Sequence, residues 1–249
     1  MGKFFSAWEP FFSRVPGQGL RVVEHEVAHA PLAGFRLAFL SDIHASPQFS
    51  DAALEALFSR VASLEADVVC IGGDFAEDEQ SLARLLRALE PLRPRLGVFA
   101  CKGNNDSELD GFEAAVRPRV RLLVNESVDL GGLWIGGVDE CKWGKPCAQG
   151  VFPACAEGFL VMLSHYPVAQ DYAGGVRADL QLSGHTHGGQ ACLLGVSPYT
   201  LLYEPRRHEW ISGECTLGGV RTIVSNGVGM SRVSLRVGVP PQVHLIRFV

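Results

Sequence analysis

Between residues 35 and 105, short apolar runs alternate with amphipathic stretches, and each apolar run ends in a polar turn. Phe35 to Leu40 runs into Ser41-Asp42, Asp67 to Ile71 into Gly72-Gly73-Asp74, and Leu96 to Cys101 into Lys102-Gly103-Asn104. Runs this short and this continuous fit buried strands. Between them, Leu54, Leu57, Phe58, Val61 and Leu64 share one helical face, as do Leu82, Leu85, Leu86 and Leu89, with Pro91 and Pro94 closing the second helix. Strand, helix, strand, helix, strand in this order calls for a parallel sheet. Ligands of such sheets gather beyond the carboxyl ends of the strands, where all three polar turns fall.

The second half has a different rhythm. Glycine-bounded strands are predicted at 120–124, 133–138, 159–164, 179–183, 220–225 and 242–248, with helix confined to 108–117 and 168–173. Residues 21–29 alternate loosely and suit an edge strand. Two β-rich layers packed face to face, with helices outside, accommodate both halves. The chain has 249 residues, 47% of them hydrophobic, and no repeat or Ser/Gly linker, which fits one large α/β domain over 1–249.

The turns carry metal-ligand side chains. Asp42 and His44 are two residues apart and can turn to one ion; Asp74 sits on a glycine-flanked turn suited to bridging two cations; Asn104 offers an amide oxygen. Further on, Ser164-His165-Tyr166-Pro167 and Gly184-His185-Thr186-His187-Gly188-Gly189-Gln190 also fall at predicted strand ends. Seven donors exceed one tetrahedral site but suit two ions sharing a carboxylate. Mixed His/Asp/Asn ligation fits Mn²⁺, Fe²⁺, Co²⁺ or Zn²⁺ and is too nitrogen-rich for Ca²⁺ or Mg²⁺. Two such ions activate a water and clamp the oxygens of an in-line displacement at phosphorus.

In order, D-x-H, G-D, G-N, H-x-P and G-H-T-H resemble the calcineurin-like metallophosphoesterase superfamily. Gly188-Gly189-Gln190, Ser225-Asn226-Gly227-Val228-Gly229 and Pro240-Pro241 look like its bacterial branch of small, often membrane-associated phosphoesterases. The resemblance implies a four-layer α/β/β/α sandwich of two mixed sheets, with a dinuclear centre at the strand carboxyl ends. One ion, with Mn²⁺ the first expectation, would take Asp42, His44 and His187. The other would take Asn104, His165 and His185, and Asp74 would bridge. Asp74, Asn105 and His185 are the residues expected at the reacting centre.

Position 105 departs from the pattern. The superfamily usually reads G-N-H-[DE], its histidine contacting the phosphoryl group and protonating the leaving oxygen; here the run is Gly103-Asn104-Asn105-Asp106. An amide donates a hydrogen bond but delivers no proton at neutral pH. An alkoxide leaving group needs that proton, whereas a phosphate, with a second pKa of about 6, hardly does. Asn105 therefore favours a pyrophosphate or another ester with a good leaving group. Bacterial UDP-2,3-diacylglucosamine hydrolases are similar in lacking the histidine and in cleaving a pyrophosphate. The competing expectation is a phosphoesterase-fold metal-binding protein with little catalysis.

Lys102, Arg206 and Arg207 are, beside Asn105, the candidates for substrate phosphate, and the 139–155 loop, with Lys142 and Trp143, is the candidate substrate cap. Glu77 and Asp78 read as helix N-terminal charges, and His25, His29, His208 and His244 as ordinary packing. A net charge of −5 offers no field for nucleic acid, so the expected partner is a phosphate-containing small molecule or a lipid-linked substrate. Seven cysteines without a Cys-x-x-Cys exclude a disulfide framework and a structural zinc site. No run has the roughly 20 apolar residues of a membrane span, and no signal peptide is visible, so a cytoplasmic protein is expected. Phe4-Phe5, Trp8 and Phe11-Phe12 make residues 1–20 a candidate peripheral membrane contact.

Overall fold

The structure, a computed structural model, describes residues 12–13, 17–192 and 211–249. In chain order the elements are β1 (Phe12–Ser13), β2 (Arg21–Val27), β3 (Arg36–Leu40), α1 (Asp51–Ala62), β4 (Val68–Ile71), α2 (Glu79–Leu89), β5 (Val98–Ala100), α3 (Phe112–Val116), β6 (Arg121–Leu122), β7 (Glu126–Asp129) and β8 (Leu133–Gly137). There follow β9 (Phe159–Leu163), α4 (Ala169–Tyr172), β10 (Leu180–Ser183), β11 (Gly213–Leu217), β12 (Val220–Val224), β13 (Arg236–Val237) and β14 (Gln242–Phe248).

One six-stranded sheet runs β2-β14-β3-β4-β5-β6 and the other β11-β12-β10-β9-β8-β7. The expected parallel order holds from β3 to β6, but β14 enters antiparallel to β3 and carries β2 outside it, parallel to itself. In the second sheet β12, β10, β9 and β8 are parallel, and antiparallel β11 and β7 close the two edges. Both sheets are mixed, as the family resemblance implies.

Strand alternation sorts the core into layers. Ala38, Leu40, Val69 and Ile71 face outward under α1, α2 and α3, against Leu54, Leu57, Phe58, Leu82, Leu85 and Phe112. Their neighbours Leu37, Phe39, Val68 and Cys70 face inward, against Leu133, Ile135, Val161, Leu163, Leu180 and Leu182 of the second sheet. Ser50 caps α1 by accepting the Ala53 N–H, and Asp78 caps α2 by accepting the Ser81 N–H, each contact stabilising by about 1 kcal/mol. The fourth layer is mostly irregular: Leu160 and Met162 are covered by Ala148, Val151, Phe152 and Ala156 of the 139–157 loop and by Ala173 after α4.

The predicted helix over 108–117 is shorter than expected. A 3-10 turn occupies Asp106–Glu108, and Gly111 at φ 69° starts α3 afresh, a left-handed backbone that ends one helix and begins another. None of the seven cysteines forms a disulfide, and Cys70 and Cys101 lie in the inter-sheet core. No helix among the described residues is long and apolar enough to cross a membrane.

Candidate metal centre

Each predicted donor stands just beyond the carboxyl end of a parallel strand. Asp42 and His44 follow β3, Asp74 follows β4, Asn104 follows β5, His165 follows β9, and His185 and His187 follow β10. The two sheets thus bring donors 145 positions apart in sequence to one place between their ends. Asp42, His44, Asp74, His165 and His187 are buried, while Asn104 and His185 are partly open.

The backbone is bent sharply to do this. Asp42, His44, Asp74, His185 and His187 all have φ between 44° and 69°, the left-handed region that side-chain-bearing residues occupy at a cost of about 1–3 kcal/mol each. The turns then interlock: the Asp42 N–H donates to Gly73 O (2.9 Å) and the His44 N–H to Asp74 O (3.1 Å). A Cβ on Gly103 would collide with the Asp74 carboxylate, and one on Gly184 with that of Asp42.

The donors fall into two overlapping groups. Asp42, His44 and His187 bring ligand atoms within 4.8 Å of one another, and so do Asp42, Asp74 and His165. Asp74 Oδ2 stands 3.3 Å from His44 Nε2 and 3.4 Å from His165 Nε2, between imidazoles of the two expected ligand sets. His187 Nε2 is 3.1 Å from His44 Nε2, and Asn104 Oδ1 is 3.1 Å from His185 Nδ1.

This donor set fits divalent cations. His165 Nδ1 is 2.7 Å from the Gly72 carbonyl, and His44 Nδ1 meets Glu77 Oε1, so both rings place their protons on Nδ1. Both Nε2 lone pairs then point at the same Asp74 oxygen, and among the described residues His165 Nε2 has no hydrogen-bond partner. Acceptors facing one another in a dry site repel; a cation removes the conflict. Protons would otherwise supply the positive charge. Burial opposes the charged forms, yet the Asp74 carboxylate with Glu77 raises His44 to about 10, and Asp74 with Asp42 raises His165 to about 9. Burial and the charge on His165 hold His185 down at about 3, so it stays a neutral imidazole, the ligating form.

Asn105 lies at the rim of this cluster. Its backbone N–H donates to Asp74 Oδ1 (2.9 Å), its Oδ1 accepts from Asn104 Nδ2 (2.8 Å), and its Nδ2 is 3.3 Å from Glu77 Oε1. Lys102 is paired with two carboxylates, its ammonium 3.0 Å from Asp139 Oδ1 and 3.2 Å from Glu113 Oε1. Arg206, Arg207, His208 and the aromatics of residues 1–12 lie outside the described side chains. A cleft of about 530 Å³ between α1 and α2, lined by Asp51, Glu55, Arg84 and Arg87, includes none of the candidate donors.

Three supporting residues escaped sequence reasoning. Glu77 is not a helix charge, because Asp78 is the cap; it orients His44 through Nδ1, the carboxylate–histidine arrangement that fixes a metal ligand. Asp106 is buried and accepts from the N–H groups of Asp74, Phe75 and Gly103, each at 2.8 Å. Arg236, also buried, donates to the carbonyls of Asn226 and Gly229, the turn whose Gly229 N–H donates to Asp42 O (2.7 Å). A carboxylate directly after Asn104-Asn105 was a signal for Asp106; a lone arginine 194 positions from Asp42 carried none for Arg236.

A two-sheet α/β sandwich with buried acidic and imidazole donors at its strand ends defines a candidate metal-binding architecture. The chain belongs to the calcineurin-like phosphoesterase family, whose model matches residues 35–189. It is 32% identical over 64% of its length to a transmembrane protein with metallophosphoesterase domain from Danio rerio, and the match spans 41% of that protein. It is 28% identical to the uncharacterized metallophosphoesterase YkoQ of Bacillus subtilis, over 82% of this chain and 80% of that one. It is 26% identical to the phosphodiesterase YaeI of Escherichia coli, over 87% and 83% of the two chains.

Proposed function

We propose that this chain hydrolyses a phosphodiester or a pyrophosphate with two divalent cations, Mn²⁺ first among them. Asp74 Oδ2, placed between His44 and His165, is the observation that carries the reading, because one carboxylate oxygen facing both donor sets is what a shared pair of ions requires. Asp42, His44 and His187 would hold one ion and Asn104, His165 and His185 the other. Such ions lower the pKa of a water for attack at phosphorus and neutralise the phosphoryl oxygens. Glu77 keeps His44 in the ligating tautomer, and Asp106 keeps the Asp74 and Asn104 turns at a fixed separation. Asn105 Nδ2 is the protein's own hydrogen-bond donor beside the reacting centre.

Two features support a good leaving group. The Asn105 amide delivers no proton, and its neighbours are already committed to each other, Glu77 Oε1 being held by His44 Nδ1. The similarity to a bacterial phosphodiesterase is in keeping with a diester. A lipid-linked nucleotide sugar such as UDP-2,3-diacylglucosamine is the most specific substrate in this class, with the N-terminal aromatics meeting its membrane.

The test is hydrolysis of bis(p-nitrophenyl) phosphate and of nucleotide-sugar pyrophosphates by Mn²⁺-loaded protein. Activity is expected in the wild type and not in His185→Ala or under full chelation. Equal turnover by the variant would overturn the reading. Asn105 also supports a second reading, a metal-binding protein with little catalysis; that reading requires full metal loading without turnover of any phosphoester by the wild type or Asn105→His.

A further inference from the structure

The loop after β8 places an exposed tryptophan at the rim of the metal centre and holds it there. Trp143 is 61% exposed, the only aromatic among the large exposed apolar side chains of the described residues. An exposed indole on a loose loop would be unremarkable surface. This loop is not loose. The buried Glu140 carboxylate accepts the backbone N–H groups of Lys142 (2.7 Å) and Trp143 (2.6 Å). The Asp139 carboxylate accepts those of Glu140 (3.0 Å) and Lys145 (2.9 Å) and pairs with Lys102. The indole N–H donates to Glu108 Oε1 (3.0 Å), which also takes the Lys142 ammonium (3.0 Å), and that ammonium stands 4.7 Å over the indole ring.

Both anchors of this arrangement lead to the candidate ligands. Glu108 ends the short turn that begins at Asp106, directly after Asn104 and Asn105. On the other side, the Cys141 thiol meets the Tyr166 hydroxyl. Tyr166 in turn lies 3.4 Å from Asn104 Oδ1 through that hydroxyl and stacks on His185 with ring centroids 3.8 Å apart. The loop that carries the indole is thus tied on both sides to the turns of Asn104 and His185.

We propose that Trp143, backed by Lys142, is a stacking platform for an aromatic ring, such as a nucleobase, carried on the phosphorus of the substrate. The inference rests on the phosphoesterase reading and adds a substrate class to it. A flat apolar face held in place loses little entropy on binding, and the Lys142 ammonium, paired with Glu108, packs on the indole and helps to hold the ring.

Two probes test it with the Mn²⁺-loaded 249-residue chain. Bis(p-nitrophenyl) phosphate and methyl p-nitrophenyl phosphate share a leaving group and differ in the arm that stays on phosphorus. Trp143→Ala should lower the aryl-to-methyl ratio of kcat/KM by on the order of tenfold, mainly through KM, and Trp143→Phe should largely keep it. Calorimetric binding of uridine monophosphate against inorganic phosphate gives the same comparison without turnover: Trp143→Ala should reduce the preference for the nucleotide by about tenfold. A ratio unchanged by Trp143→Ala in both assays overturns the platform. If the wild type hydrolyses neither ester, the phosphodiester half of the reading fails, and the binding ratio still decides the platform by itself.

Discussion

Replacing Asp106 with alanine would remove one side chain and orphan three buried donors. Its carboxylate accepts from Asp74 N and Gly103 N at Oδ2 and from Phe75 N at Oδ1, all at 2.8 Å, and is fully buried. An unsatisfied buried donor costs about 1–3 kcal/mol, so the three together cost about 3–9 kcal/mol. That is comparable with the whole stability of a domain, about 5–15 kcal/mol. Asparagine keeps one oxygen: placed at the Oδ2 position it serves Asp74 and Gly103, and its amino group then faces the Phe75 N–H. One donor is lost, about 1–3 kcal/mol. Urea unfolding of metal-free protein should therefore rank wild type above Asp106→Asn and Asp106→Ala last. Asp106 also ties the β4 turn to the β5 turn, so Mn²⁺ affinity of the asparagine variant should fall by about 10–100-fold, as for other residues that support a ligand. An alanine variant within 1 kcal/mol of wild type, binding Mn²⁺ as tightly, would refute the assignment of Asp106 as the tie between the two turns.

Other outcomes follow from the same geometry. Gly103→Ala puts a Cβ against Asp74 Oδ1 and N; metal content by mass spectrometry should drop while far-UV circular dichroism stays native, and undiminished loading would contradict the close approach. His244 is buried, with Nδ1 3.0 Å from His25 Nε2, and burial first, then the His25 charge, lowers it from 6.5 to about 3. Its neutral form is the folded one, so this stability is complete above pH 6.5 and is lost as pH falls toward the folded value, about 2 kcal/mol by about pH 5. His244→Leu should flatten the slope of stability between pH 7 and 5, and an unchanged slope would show that His244 is not the group responsible. Asn105→His should raise turnover of alkyl phosphodiesters by about 10²-fold or more and leave pyrophosphates nearly unchanged; equal gains on both would remove the leaving-group argument.

The βαβαβ unit of β3 to β5 was readable because its period is simple: α1 and α2 each show one apolar face, and each strand is an uninterrupted apolar run. The cluster was readable because His, Asp and Asn recur at the ends of the apolar runs, and five of these seven residues take left-handed backbone there. The edges were not. β7, Glu-Ser-Val-Asp, is half exposed and polar, and β11 alternates between half-buried and exposed positions, so neither shows an apolar run. β14 has the pattern of a buried strand, but nothing local says that it inserts beside β3, about 200 positions upstream. Glu77 looked like a helix charge because it sits next to the true cap. The outer cover of the second sheet was legible only as a long loop, since its buried Val151, Phe152 and Ala156 follow no helical or strand period.

The shared position of Asp74 is the centre of this account, and metal stoichiometry tests it most directly. Protein reconstituted with Mn²⁺, dialysed and assayed by inductively coupled plasma mass spectrometry should carry about two ions per chain, as a two-metal site requires. Asp74→Ala should fall below one, because both donor sets lose the oxygen between His44 and His165. A wild-type content of one or less, or an Asp74→Ala variant that still holds two, would contradict it.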